Sequence, residues 1–124
     1  MLTTLLLFTG AAVAAPEMIP ENAVEIVGRT APSFDAVLFD GSDFSLEASR
    51  GKPVVLAFWA SWCGPCRQEL PALSEFQAQR PDVAIFAVNV DRERALADRF
   101  LQQVKVSLPI IWDNESKAMG QYDV

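Results

Sequence analysis

An α/β domain, with a largely parallel sheet centre and helices on both faces, is the fold class the sequence predicts. Two observations predict it. Apolar runs alternate with helical patterns: Val54 to Trp59, Cys66 to Gln79, Val83 to Val90, Arg92 to Val104, then Ile110 to Trp112. Such alternation implies βαβ crossovers between parallel strands. The length, 124 residues of which 51% are apolar, suits one domain with one core.

The elements follow in chain order. Phe34 to Phe39 suits a strand, Asp40-Gly41 a turn, and Phe44-Ser45-Leu46 the returning arm of an N-terminal hairpin. Ser49 to Pro53 punctuates the chain. Val54 to Trp59 is a continuous run of β-formers, the pattern of a central strand covered on both faces. Pro65 suits an early helical position, where its missing N–H costs nothing. Cys66 to about Gln79 is helical, with Leu70, Leu73 and Phe76 on one face and Pro71 predicting a kink. Val83 to Val90 reads as a second buried strand. Arg92 to Val104 reads as an amphipathic helix that buries Leu96, Phe100 and Val104, after a solvated mixed-sign start over Asp91 to Arg94. Ile110 to Trp112 is a short strand whose Trp belongs to the core. Asn114 is placed to cap a final helix from Glu115 to about Tyr122.

Residues 1–15 have the pattern of an export signal: an apolar stretch centred on Leu5 to Phe8, then Ala12-Val13-Ala14 as an A-x-A cleavage site. No Lys or Arg precedes the apolar run, and the run is short for a bilayer span. Residues 16–28, with two prolines and little periodicity, read as a linker before a domain over 29–124.

Composition removes several function classes. A net charge of −6 argues against non-specific nucleic-acid binding, which needs a basic face. The absence of His removes imidazole bases, Cys–His proteases and His-ligated metals together. The only two cysteines, Cys63 and Cys66, lie three positions apart. A bond between them closes a very short loop, so its entropic gain on folding is small. A CxxC can be half of a zinc site, but the other half is absent, with no further Cys and no His, so no metal is expected. No organic cofactor is needed either.

The position of the pair points to chemistry. A buried strand ends at Trp59 and a helix starts at the motif, so Cys63 is expected at the helix N-terminus. Unpaired N–H groups and the positive end of the helix dipole favour a thiolate there. CxxC thiols in such places reach pKa values of about 7 rather than about 8.5. Cys63 is therefore expected to attack a partner disulfide, and Cys66 to resolve the mixed disulfide. Trp62 is expected to shield the pair and touch the partner, while Trp59 packs in the core. Arg67 reads as a solvated surface residue.

The segment Val54-Val55-Leu56-Ala57-Phe58-Trp59-Ala60-Ser61-Trp62-Cys63-Gly64-Pro65-Cys66 resembles the active-site strand, loop and helix start of the thioredoxin superfamily. Trp62 to Pro71 is similar to the branch containing TlpA, ResA and DsbE (also called CcmG). So are Gly28 to Phe34 and Leu108 to Asp113, and the resemblance covers residues 28–124. It implies a thioredoxin-like fold with a mixed central sheet and an N-terminal hairpin extension. It also implies a periplasmic or otherwise extracytoplasmic enzyme, in some members membrane-tethered, that reduces disulfides of exported proteins. Several members serve cytochrome c maturation, with electrons from a membrane thiol reductant. Gly64-Pro65 is the reducing-type dipeptide of the superfamily, whose thioredoxin member lies at about −270 mV against about −120 mV for DsbA.

Two departures from the resemblance carry expectations. Thioredoxin has a buried Asp where this sequence has Ala57, and Glu69 occupies the position of a functional acid in the ResA-like branch. Glu69 is therefore read either as tuning or taking protons from the pair, or as an ordinary exposed acid near a helix start. Pro109 is not read as the family's cis-proline, because its surroundings match the segment before that loop. The chain is thus expected to stop short of that loop and of the last two strands and helix. A peroxiredoxin-type peroxidase is the rival activity, since Gly28 to Leu46 is shared with those folds. A redox-inactive binding fragment is the rival from another class.

Overall fold

The computed structural model describes residues 27–122 and 124. The expected signal and all of the linker except Val27 and Gly28 lie outside them. Five strands form one mixed sheet: β1 (Asp35–Leu38), β2 (Asp43–Ser45), β3 (Val54–Trp59), β4 (Ala84–Asn89) and β5 (Ile110–Trp112). The helices are α1 (Cys66–Gln79), α2 (Arg94–Gln103) and α3 (Lys117–Gln121). Spatial order is β2-β1-β5-β4-β3, with β3, β4 and β5 parallel and β1 antiparallel to both β2 and β5.

β3 and α1 have the bounds their patterns predicted, and α1 continues through Pro71. The N-terminal hairpin turns at Gly41, whose φ of +88° an L side chain resists. β3, however, lies at an edge of the described sheet rather than at its centre. Its apolar run reports that both faces are covered, and carries no information about its hydrogen-bonding neighbours. Ala57 and Trp59 enter one core, while Val54, Leu56 and Phe58 enter the other.

Alternation along the strands builds these two cores on opposite faces. One contains Cys66 and Leu70 of α1, Ile85 and Ala87 of β4, and Ala97 and Phe100 of α2. Both long helices therefore share a face, as two successive crossovers running β3-β4-β5 in one direction require. The other core joins Phe44, Leu46, Val88 and Ile111, with Phe34, Phe86 and Tyr122 packed against it. Among the described residues this face is covered by the short α3 and by the segments that flank the hairpin, with Phe34, Leu46 and Tyr122.

Two helical stripes differ from expectation. In α2 the buried stripe is Ala97, Phe100 and Val104, whereas Leu96 is exposed. Positions 97, 100, 101 and 104 follow the i, i+3, i+4, i+7 spacing that a helix buries, and a strict fourfold spacing drifts off that face. In α1 the stripe fades at Phe76, which is exposed, with the Arg80 guanidinium 5.8 Å from its ring centroid.

The last helix is also capped differently. Buried Asp113, not exposed Asn114, accepts the N–H groups of Ala118 (3.1 Å) and Met119 (2.9 Å). Ser116, at a left-handed φ of 54°, turns the chain between them, so α3 starts at Lys117. Tyr122 then closes the fold: its hydroxyl donates to the Pro32 carbonyl at 2.7 Å, tying the end of α3 to the segment before β1.

Burial pushes the Tyr122 phenol above its ordinary pKa, and the Arg50 charge opposes this only in part. Tyr122→Phe is expected to cost about 1 kcal/mol, read as a lower urea midpoint at unchanged m. The raised folded-state value stabilises the protein below the ordinary tyrosine pKa of about 10, and that contribution is lost as pH rises through the folded value. The Phe variant should lack this alkaline loss.

Candidate active site

The redox motif sits where β3 gives way to α1. After Trp59 the chain turns over Ala60 to Cys63, closed by the Cys63 N–H donating to the Ala60 carbonyl at 3.1 Å. Pro65 is the N-cap residue of α1 with helical angles, so its missing N–H falls where no helical acceptor exists. Cys63 thus lies just before the helix start, and Cys66 is the first helical residue. Their Cα atoms are 5.4 Å apart and their sulfurs are joined in a disulfide.

The two sulfurs occupy unlike surroundings. Cys66 is 4% exposed and belongs to the core under α1 and α2. Cys63 is only partly buried and borders that core. An incoming group therefore meets Cys63 first, and the buried sulfur stands behind it. The first-turn N–H groups and dipole of α1 lie at the same end.

Around the pair, Trp62 is 78% exposed, and Gly64 and Pro65 are also exposed. Gly64 has no left-handed φ, and a Cβ there would meet nothing within 4 Å. Nothing among the described residues requires glycine at that position. Glu69 lies in the first turn of α1, exposed, with no side-chain hydrogen bond or ion pair among the described residues. Ala57 is buried in the Cys66 core and brings no carboxylate to it. Trp59 is buried against Phe100, with ring centroids 4.8 Å apart, as its strand-end position predicted. Arg67 is exposed but not free: it donates to Gln103 Oε1 at 3.2 Å and lies 5.1 Å from the Phe100 ring centroid.

Asp91 to Arg94 forms the solvated face its charges suggested only in part: Arg92 and Glu93 are exposed, whereas Asp91 and Arg94 turn to the protein. Asp91 is 2% exposed. Its Oδ1 accepts the Ser61 hydroxyl at 2.7 Å, and its Oδ2 accepts the Ser61 N–H at 2.9 Å and Asn89 Nδ2 at 2.8 Å. Arg94 donates to the Phe39 carbonyl at 3.0 Å, with its guanidinium 3.7 Å from the Phe39 ring centroid, fastening α2 to the hairpin. The available signal was position rather than charge, since Asn89-Val90-Asp91 spans the C-terminal end of a parallel strand. In α/β sheets sites gather at that end.

Beside the motif runs an open groove of about 450 Å³, lined by Trp62, Val90, Leu96, Ser116 and Met119 and by the charged run Asp91, Arg92 and Glu93. Pro109 is trans and directly precedes β5, and its carbonyl accepts the Ala87 N–H at 2.9 Å. Among the described residues no three His, Cys, Asp or Glu side chains gather as metal ligands. Among them, too, no helix is long and apolar enough to cross a membrane.

Known proteins are similar to this chain in sequence and fold. The AhpC/TSA family profile matches residues 27–124. Thiol-disulfide oxidoreductase ResA of Geobacillus thermodenitrificans is 34% identical over 106 residues, which cover 84% of this chain and 61% of that protein. The chain thus spans about three-fifths of that relative's length. A crystal structure described as thiol:disulfide interchange protein DsbE from Chlorobium tepidum superposes with a TM-score of 0.71 at 35% identity, covering 76% of this chain and 67% of that one. A secreted Mycobacterium tuberculosis disulfide oxidoreductase superposes at 0.66 with 27% identity, covering 73% and 67%. The chain belongs to the AhpC/TSA family, within its thioredoxin-like branch of ResA- and DsbE-type proteins.

Proposed function

We propose that this protein is an extracytoplasmic thiol–disulfide oxidoreductase that reduces disulfides of other proteins through Cys63 and Cys66. The observation that carries the reading is the asymmetric pair at the start of α1, with Cys63 accessible and Cys66 buried behind it. In the reducing direction the Cys63 thiolate attacks one sulfur of a partner disulfide, and the partner's other sulfur leaves as a thiolate. Cys66 then attacks the Cys63 sulfur of the mixed disulfide, re-forming the intramolecular bond and freeing the second partner thiol. Two electrons pass to the partner, and a membrane thiol reductant restores the dithiol. Exposed Trp62 and the adjoining groove offer the partner an apolar contact.

The names of the similar proteins, two oxidoreductases and an interchange protein, support the activity. The secreted relative and the signal-like residues 1–15 support export. Apocytochrome c bearing a disulfide is one substrate that follows from this branch. No metal or organic cofactor enters the proposed reaction.

Insulin-disulfide reduction, assayed beside peroxide consumption, tests the reading. Disulfide reduction without peroxide turnover is expected. Cys63→Ser should abolish it, and Cys66→Ser should accumulate a mixed disulfide through Cys63. Rapid peroxide turnover without disulfide reduction would favour a peroxidase, and neither activity would favour a binding module.

Glu69 is proposed to tune the pair by charge, because it stands in the first turn of the helix that Cys66 opens, and negative charge there opposes the thiolate. Glu69→Gln should then move the pH midpoint of thiol alkylation downward, and only slightly for so exposed a group. Unchanged titrations and rates return Glu69 to the solvated surface.

A further inference from the structure

We propose that Asp91 is the positioning residue of the redox turn, holding Cys63 in place for attack through Ser61. The inference rests on reading Cys63 as the attacking sulfur. All three groups that donate to the Asp91 carboxylate are neutral: the Ser61 hydroxyl, the Ser61 N–H and Asn89 Nδ2. The Asp91 N–H returns a bond to Asn89 Oδ1 at 3.1 Å, so the acid is itself locked to the end of β4. Asn89 is fully buried. No salt bridge to Asp91 exists among the described residues. Burying a carboxylate without a cation is expensive, and packing alone would be served better by an apolar side chain.

What the arrangement provides is placement. Two of the three bonds go to Ser61, the second residue of the turn that the Cys63 N–H closes on Ala60. The turn is therefore pinned from inside by Ala60 and from outside by Asp91. In the oxidised protein the bond to Cys66 also restrains the Cys63 sulfur. In the dithiol that covalent restraint is gone, and the noncovalent pins must hold the nucleophile. Reaction rates depend on such placement to within about 1 Å.

The contact geometry supplies a discriminating pair of variants. In Asp91→Asn the amide oxygen can take the place of Oδ2, accepting from the Ser61 N–H and Asn89 Nδ2. Its NH2 then donates to the Ser61 hydroxyl, which rotates to accept. That variant removes the charge and keeps the pins, whereas Asp91→Ala removes both.

The test follows the pH profile of iodoacetamide alkylation of reduced Cys63 in the full chain, beside the rate and equilibrium of exchange with glutathione. Thermal melts confirm that each variant is folded. Both variants remove the charge and should move the pH profile downward; Asp91→Ala should in addition slow both reactions of the fully formed thiolate roughly tenfold, while Asp91→Asn stays within about twofold of the parent there. Ser61→Ala, which removes one pin, should slow exchange about threefold and serves as the test if Asp91→Ala does not fold. Folded Asp91→Ala or Ser61→Ala with parental rates and profile would overturn the proposal. So would Asp91→Asn as impaired as Asp91→Ala, because charge rather than placement would then be at work. Alkylation needs no partner disulfide, so the result stands apart from whether the parent reduces proteins.

Discussion

Parallel pairing of β3 with β4 governs the arrangement of everything near the cysteines. The register runs without a slip from Val54 opposite Ala84 to Trp59 opposite Asn89. Parallel strands end on the same side of a sheet, so the segments that follow Trp59 and Asn89 must leave side by side. One carries Ser61 and Cys63, and the other carries Asp91. The Val90 N–H extends the ladder to the Trp59 carbonyl at 3.0 Å, keeping the two exits together past the last paired residues. A one-residue slip would exchange the two cores and carry Trp59 to the opposite face.

The same strand joins two cores of different make-up. Trp59 and Ala57 face the long helices and Cys66, while Phe58 and Leu56 face the aromatic cluster of Phe34, Phe44, Phe86 and Tyr122. The redox turn begins directly after this doubly anchored strand, and α1 begins directly after the redox turn. Cys66 is thereby fixed from two directions, by the helix it opens and by the sheet beneath it. Cys63 has less beneath it and depends more on the turn.

What could be read in advance was set by local pattern. The bounds of β3 and α1, the hairpin turn and the cysteine pair all follow from apolar periodicity, Gly and Pro placement, and motif spacing. The missed features depend on contacts between distant positions. Asp91 looked like one charge among several in Asp91 to Arg94, because its donor at Ser61 lies 30 positions away. Asn114 has the residue type of a helix cap but so does its neighbour Asp113, and the left-handed turn at Ser116 decides for Asp113. The edge position of β3 was hidden for another reason: side-chain burial records what covers the faces of a strand, and leaves its neighbours in the sheet unspecified.

The cysteines are separated by only three positions. A link that short removes few conformations from the unfolded chain. By thermodynamic linkage, the stability gap between oxidised and reduced protein equals the difference between the pair's redox free energy in the fold and in the unfolded peptide. Oxidation state and folding are therefore coupled chiefly through the ways in which the fold treats dithiol and disulfide differently. Whatever separates this couple from a free Cys-Gly-Pro-Cys peptide is then a direct measure of the strain, charge and placement imposed on two sulfurs by the surrounding domain.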